Sequence, residues 1–431
     1  MITKKEQIIE YFKSGIKNKK EFKIGIEHEK FLFDSQNNKR IDYQKIKEMF
    51  SALLEFGWNP VLENDNIIAL NKGGKNITLE PGNQIELSGD KLTNIHEACA
   101  ESYDYLFELK QVTKKLNIKI VSAGFDPISK LDEIPNNPKK RYKLMTRDMP
   151  LGGELSLDMM YRTCGTQLNL DYCSEEDFKK KFKIVNSLVP ISIALFANSS
   201  IVEKKKSNYL SYRSKVWQNT SRGGLPKLFL EDFDFEKYAD FVINFPVLFI
   251  QQKENYFSGR GYNFSDFMSG NIKEINNRLP DENDLSTHLS TIFTENRLKK
   301  YIELRSMDTC GWDCLCAGPA FNVGMLYGNL DEVYELISSW DKDKIINAYL
   351  EAPQKGFNTQ LMGKDLLYWS SVLLDLSKKG LEKRDIVNKS GKNETLFLNH
   401  LQKVIDNKTT NAHHMIIKFS KDEDLTELYD K

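Results

Sequence analysis

The stretch KIGIEHEKFLF at residues 23–33 sets the strongest limit on what this chain can fold into. Read as a strand, its successive side chains take opposite faces. Ile24, Ile26 and His28 then share one face, and Glu27 and Glu29 share the other. Two carboxylates side by side repel each other unless a cation lies between them. The pattern asks for a strand with an aliphatic back, an anionic front and a counter-charge. His28, on the aliphatic side, reads as a core histidine.

Other segments repeat the arrangement. In ITLEPGNQIELSG, Ile77 and Leu79 alternate with Thr78 and Glu80. After the Pro81-Gly82 turn, Ile85 and Leu87 alternate with Gln84, Glu86 and Ser88. In RTCGTQLNLDY, Thr163, Gln167, Asn169 and Asp171 share a face with Leu168 and Leu170 behind. In KYIELRS, Ile302 and Leu304 oppose Tyr301, Glu303 and Arg305. A sheet with one solvated face is common in antiparallel architecture, but its outer face would mix Lys, Thr and Ser with Glu. These fronts select carboxylate and amide oxygens, the donors that hard cations take. Mg²⁺ is usually bound through carboxylates and substrate phosphates together. A carboxylate-lined sheet therefore suits ATP held through its metals, with Arg305 near the transferred phosphate. No GxxxxGK[ST] and no GxGxxG after a strand is present, so a nucleotide would not be cradled by a glycine-rich loop.

Around these strands the pattern is helical. IDYQKIKEMFSALLEFGW predicts a helix ending near Gly57, and KLTNIHEACAESYDYLFELKQVTKKL a longer amphipathic one. SEEDFKKKFKIVNSLVPISIALFANSS predicts a helix capped by Ser174. From Gly324 onward nearly everything reads as helix. Strands and helices do not alternate regularly, which argues for an antiparallel α+β arrangement over a doubly wound parallel sheet. No linker or repeat cuts the 431 residues, so one domain is expected over 1–431, with a sheet-containing core at 20–330 and a mainly helical part at 331–431.

Lys+Arg and Asp+Glu both number 61, so no global charge points to nucleic acid or membrane. No apolar run reaches membrane-spanning length. The opening MITKKEQIIEYFKSGIKNKK reads as an amphipathic helix with Ile8, Ile9 and Phe12 inward, not as a signal peptide. Six cysteines are too few for a disulfide scaffold. Cys310, Cys314 and Cys316 lack the second Cys/His pair of a zinc site, and His413-His414 reads as solvated. A cytoplasmic protein is expected.

KIGIEHEKFLF, LEPGNQIELSG, LDMMYRTCGTQLNLDY, ALFANSS, YLSYRSKVW and LCAGPAFNVGMLY occur in this order. Together they resemble glutamate–cysteine ligases of the plant and alphaproteobacterial type, over residues 20–330. The helical tail is similar only in general character. An actinobacterial ligase that makes the same dipeptide for ergothioneine shares several blocks less fully. The resemblance implies a glutamine-synthetase-like fold, in which a curved antiparallel sheet forms an active-site bowl surrounded by helices. It implies ATP-dependent ligation of the γ-carboxyl of L-glutamate to L-cysteine through a γ-glutamyl phosphate, the first step of glutathione synthesis. The expected partners are therefore L-glutamate, L-cysteine and ATP, with Mg²⁺ as cofactor, no nucleic acid and no membrane, in a monomer or homodimer. The resemblance makes Glu27, Glu29, Glu80, Glu86, Gln167 and Glu303 the metal ligands, positions that the alternation also selects. Glu27, Glu29, Glu86 and Arg305 are expected to serve catalysis.

For substrate, helical spacing in YLSYRSKVW places Tyr209, Arg213 and Trp217 on one face, where Arg213 can clamp a carboxylate and Trp217 wall the pocket. Met159, Arg162, Thr163 and Asn169 are further substrate-facing expectations, although strict alternation sets Arg162 and Thr163 on opposite faces. One departure stands out: where many relatives have a glycine-rich turn after the Glu-Leu/Met-Arg strand, this chain reads SMDTCGWDC, residues 306–314. The resemblance also implies a regulatory disulfide between Cys99 and Cys316, two residues that could equally be small core side chains. A ligase with another amine acceptor and a catalytically retired metal-binding relative remain open.

Overall fold

In the computed structural model, which describes residues 1–419 and 424–429, the IGIEHEKFLFD stretch is the central strand of the expected antiparallel sheet. The strands are β1 (Ile24–Asp34), β2 (Asn59–Glu63), β3 (Asn66–Lys72), β4 (Lys75–Leu79), β5 (Ile85–Ser88), β6 (Ile118–Val121), β7 (Gly165–Leu170), β8 (Asn296–Leu298) and β9 (Ile302–Asp308). Among the described residues they form one nine-stranded sheet in the order β8-β9-β7-β1-β5-β4-β3-β2, with β6 on the far end of β1. Every pairing in it is antiparallel.

Register builds the front face. Glu27 lies opposite Gln167 on one side and Ser88 on the other. Glu29 opposes Glu86, which in turn opposes Thr78. Glu303 opposes Asn169, itself opposite Gly25. Directly opposed residues point to the same face, so four separate segments converge on one polar surface.

The back face is apolar and covered. Leu32, Leu70, Ile77, Leu79, Ile85 and Leu87 pack with Ile46, Phe50, Tyr105 and Leu109 of the helices Tyr43–Leu53 and Ile95–Lys115. Ile24, Ile26, Leu168 and Leu170 join the largest core, which runs from Ile2 to Ile405. Each fully buried aliphatic or Phe side chain contributes about 1.5–3 kcal/mol to holding these layers together. Two polar side chains interrupt the apolar back. His28 is fully buried beside Tyr105, and neither ring nitrogen has a partner among the described residues. Lys30, also buried, donates to the carbonyl of Cys310 and to Thr309 Oγ1, which fastens the 306–314 segment to β1.

Helix signals hold where caps exist. Ser174 Oγ accepts from Asp177 N at 3.0 Å, and Asn94 Oδ1 from Glu97 N at 2.9 Å. The run after Ser174 divides into Glu175–Ser187 and Val189–Leu195 at Pro190, whose ring cannot continue the helix hydrogen bonds. The opening helix is Lys5–Lys13, with Ile8 and Phe12 buried. The region after Gly324 is mainly helical as expected, with a small hairpin at Gln360–Leu361 and Lys364–Asp365. His413 is only partly buried and His414 is exposed. Cys99 and Cys316 are joined by a disulfide with Cα atoms 6.0 Å apart, and a second, unanticipated disulfide joins Cys310 and Cys314.

A core histidine offers a test of this packing. His288, on the helix Glu282–Ser290, stacks on Phe264 at 4.5 Å and donates from Nε2 to the carbonyl of Val242. Burial pushes its pKa down to about 3, aided by Arg222. The unfolded chain therefore binds a proton near the ordinary histidine pKa that the folded chain refuses until far lower pH, so stability falls as pH drops below about 6.5. Between pH 7 and pH 5 this histidine alone should remove about 2 kcal/mol. Urea midpoints of His288→Phe and the native chain at the two pH values should show a smaller acid loss in the variant.

Candidate active site

A cavity of about 360 Å³ lies over the front of the sheet, within the range that holds a small ligand. Its floor comes from β1, β5, β7 and β9 through Glu27, Glu29, Glu86, Gln167 and Arg305. Glu80 enters from the turn after β4, and Arg297 from β8. Apolar walls come from Met159, Trp217, Phe249 and Phe293.

One side of the cavity is anionic. Glu86 accepts from Gln167 Nε2 and from Thr78 Oγ1, both at 3.1 Å. Glu27 accepts from Asn169 Nδ2 at 2.6 Å, and Glu29 from the backbone N–H of Gly165. Burial pushes the Glu86 carboxyl well above the ordinary carboxylate range, and Glu27, Glu80 and Glu29 push it further. Burial and Glu80 push Glu29 up to about 7, against the Gly165 N–H, Arg213 and Arg305. Repulsion among front-face carboxylates is therefore present in the fold, but it centres on Glu86 and on the Glu29–Glu80 pair and not on Glu27 against Glu29.

The other side is cationic. Burial tends to raise the Glu303 carboxyl, but Arg297, Lys299 and Arg305 hold it well below the carboxylate range. Its Oε1 accepts from Arg297 Nη2 at 2.7 Å and Arg305 Nη1 at 2.6 Å, and Lys299 Nζ lies 3.2 Å from Oε2. Arg305 also donates to Gln167 Oε1, which links the two sides.

Among the described residues, no group of three or more His, Cys, Asp or Glu side chains is assembled to hold a metal ion directly. The donor chemistry nevertheless fits a hard cation. Glu27, Glu29, Glu80 and Glu86 offer carboxylate oxygens, with the Gln167 side chain beside them, and the upward shifts of Glu29 and Glu86 mark a wall whose negative charge lacks compensation. Glu303 differs, because three cations already balance it.

The substrate expectations divide. Met159, Thr163 and Trp217 line the cavity. Arg213 lies one layer behind it and is 2% exposed: its guanidinium packs 5.1 Å from the Trp217 ring, and Nη2 donates to the Arg305 carbonyl at 2.8 Å. Nε and Nη1 have no partner among the described residues. A Cβ on Gly165 would come within 2.6 Å of Nη2, so glycine leaves the room this arginine fills. Asn169 reaches the cavity only through Glu27.

Tyr209 and Arg162 are displaced from it. The helix with Arg213 and Trp217 starts at Tyr212 and is capped by Ser211, so Tyr209 precedes it and turns to Tyr212 instead of sharing their face. LDMMYR lies in the helix Ser156–Arg162, not in a strand, which removes the alternation argument there. Arg162 points away to Asp158 and Glu203, at 2.9 and 3.1 Å. Asp171 also leaves the front, to pair with Lys17 Nζ at 2.6 Å. Cavity residues that the sequence reading missed include Arg141, Tyr142 and Arg297. Arg297 had a signal: a tight NRLKKYIEL hairpin sets it opposite Glu303, as the register confirms. Arg141 and Tyr142, on the helix Lys140–Asp148, had none.

The family model for glutamate-cysteine ligase family 2 (GCS2) matches residues 23–431. The chain is 40% identical to the chloroplastic glutamate–cysteine ligase of Nicotiana tabacum, over 96% of its length and 79% of that protein. It is 39% identical to chloroplastic ligase B of Oryza sativa, over 96% and 83%, and 38% identical to the chloroplastic enzyme of Arabidopsis thaliana, over 96% and 79%. Among solved structures, glutamate–cysteine ligase of Francisella tularensis in complex with AMP superposes with TM-score 0.56 at 13% identity, covering 96% of this chain and 88% of that one, a likeness of fold alone. The expectation of a cytoplasmic protein does not stand against these relatives, which are named chloroplastic. Among the described residues no helix is long and apolar enough to cross a membrane.

The two sides of the cavity predict opposite responses to charge removal. In EDTA at pH 7, Glu86→Gln should unfold at a higher temperature than the native chain, because it relieves repulsion. Glu303→Gln should lose roughly 3–5 kcal/mol, because it strands three buried cations. Thermal unfolding of the two variants checks both signs.

Proposed function

The chain belongs to the glutamate-cysteine ligase family, and from that premise we propose that it forms γ-L-glutamyl-L-cysteine, ADP and phosphate from L-glutamate, L-cysteine and ATP by way of a γ-glutamyl phosphate. One observation carries the reading: a single cavity joins an uncompensated carboxylate wall to a buried arginine cluster. Residues 1–431 act in this reading as one catalytic unit, since the core that backs the sheet also takes in the C-terminal helices.

A free carboxylate is a poor electrophile. Transfer of the ATP γ-phosphoryl group to the glutamate γ-carboxylate makes an acyl phosphate, and attack by the cysteine amine on the acyl carbon then expels phosphate. Glu27, Glu29, Glu80, Glu86 and Gln167 would hold Mg²⁺. Glu303 would join them only if the cations that now hold it, Arg297, Lys299 and Arg305, released one of its oxygens. Bound there, Mg²⁺ supplies positive charge to the ATP phosphates during transfer. Arg305, with Arg297 beside it, faces the same cavity and stabilises the charge that develops on the phosphoryl oxygens. Met159, Thr163 and Trp217 exclude water around the substrate. Arg213 is assigned to a glutamate carboxylate, which Trp217 must turn to admit. Tyr209 and Arg162 carry no role here.

ATP, Mg²⁺ and glutamate supplied with cysteine, 2-aminobutyrate or other amines should give ADP and a γ-glutamyl product that requires both amino acids, with cysteine preferred. Preference for another amine would identify a related carboxylate–amine ligase, and no turnover a retired relative. Glu27→Gln and Glu86→Gln should each abolish most turnover while keeping the native circular dichroism. Arg213→Lys should raise the glutamate KM far more than the ATP KM, because a point charge cannot reproduce a planar fork. The lost contact should cost on the order of 2–4 kcal/mol. The Cys99–Cys316 bond ties the helix Ile95–Lys115 to the segment that follows the 306–314 loop. Dithiothreitol should therefore lower activity in the native chain and not in Cys99→Ser; equal activity with and without it would leave the bond structural.

A further inference from the structure

Asp308 ends β9 in the MDT of the unusual 306–314 segment, and no step above uses it. It is 2% exposed, and its carboxylate is the meeting point of three chain segments. Oδ2 accepts from Asn198 N at 2.8 Å and from Ser199 Oγ at 2.7 Å, and Oδ1 accepts from Ser211 Oγ at 2.9 Å. Both hydroxyls continue into the helix Tyr212–Gln218. Ser199 Oγ accepts from the backbone N–H of Arg213 at 3.1 Å, and Ser211 Oγ accepts from Ser214 N at 3.1 Å. Gly124 lies so close to the Asp308 carboxyl that no Cβ would fit.

A buried carboxylate would be costly if its only task were to link loops, since burial alone pushes its pKa up. The charge that opposes burial most is the Arg213 guanidinium, although no direct ion pair forms between them. Arg213 is thus located through its backbone by the Asp308–Ser199 relay, through its side chain by the Arg305 carbonyl and Gly165, and through its charge by Asp308. It keeps Nε and Nη1 free of partners among the described residues. Had Asp308 bonded the guanidinium directly, it would have consumed the donors that a substrate carboxylate needs.

We infer that Asp308 is a positioning residue for glutamate binding, which holds Arg213 through Ser199 and the start of its helix through Ser211, and leaves guanidinium donors unspent for a substrate carboxylate once Trp217 turns aside. The inference rests on the assignment of Arg213 to a glutamate carboxylate. An anchor of purely structural kind would lower stability and affect all substrates alike. A positioning anchor acts on the one substrate that Arg213 holds.

The test is steady-state kinetics on Asp308→Asn, Ser199→Ala, Arg213→Lys and the Asp308→Asn/Arg213→Lys double variant, each first checked for native circular dichroism. Asp308→Asn places an amide donor among three converging donors, and should raise the glutamate KM by about tenfold or more with the ATP and cysteine KM values within about twofold. Ser199→Ala, which removes only the relay, should raise the glutamate KM by a few-fold. The double variant should be little worse than Arg213→Lys, because the two residues act as one unit. An unchanged glutamate KM in folded Asp308→Asn and Ser199→Ala, or equal changes for all three substrates, overturns the inference. If Asp308→Asn does not fold, Ser199→Ala decides alone. If Arg213→Lys itself leaves the glutamate KM unaltered, the assignment of Arg213 fails and the inference with it. A raised KM in Arg213→Lys beside normal values in the other two removes the positioning role only.

Discussion

Mutual repulsion among Glu27, Glu29, Glu80 and Glu86 is the constraint around which this structure is arranged. Four carboxylates on one cavity wall, two of them pushed toward the protonated form, cost the folded state stability. The rest of the sheet tolerates that cost because its back is apolar and closed by helices. A wall of this kind has a use where a cation arrives with the substrate, so in the proposed reading the repulsion and the role of holding metal-bound phosphates share one origin. The stability–function conflict common at active sites is here a matter of like charges.

Positive charge is kept apart from that wall. Arg297, Lys299 and Arg305 close on Glu303, and Arg213 sits behind Trp217 with its charge set against the buried Asp308 and Glu295. Had these arginines paired directly with Glu29 or Glu86, neither metal nor phosphate would find a free partner. Glu303 is therefore the counter-ion of Arg297, Lys299 and Arg305. Gln167 is the joint between the halves, because its amide donates to Glu86 and accepts from Arg305. A carboxylate in its place could not donate to Glu86 while ionised.

The polar front was legible because a strand has a strict period of two, which sorts side chains onto faces with no knowledge of the partner strands. Glu27, Glu29, Glu86, Gln167, Glu303 and Arg305 all follow from that period, and all meet in the structure. The expectations that miss the cavity rested on other grounds, the family-like block for Arg162 and helical spacing for Tyr209. LDMMYR is a helical turn, which sends Arg162 to Asp158 and Glu203, and Tyr209 lies before its helix because Ser211 is the cap. His28 and Lys30 interrupt the aliphatic back, and their burial depends on Tyr105 and on the Cys310 carbonyl, contributed by distant segments.

Local spacing alone determined that this chain has strands with carboxylate fronts, capped amphipathic helices and an antiparallel α+β character, since each depends on neighbours within a few residues. The order of the strands, the register that sets Glu29 opposite Glu86, and the union of residues 27, 86, 167, 297 and 305 in one cavity were decided by tertiary structure. So were the retreat of Arg213 behind Trp217 and its suspension from Asp308. Those features are contacts between segments tens to hundreds of residues apart. They depend on which apolar faces bury each other and which buried polar groups find partners, and no periodicity within a single segment records that choice.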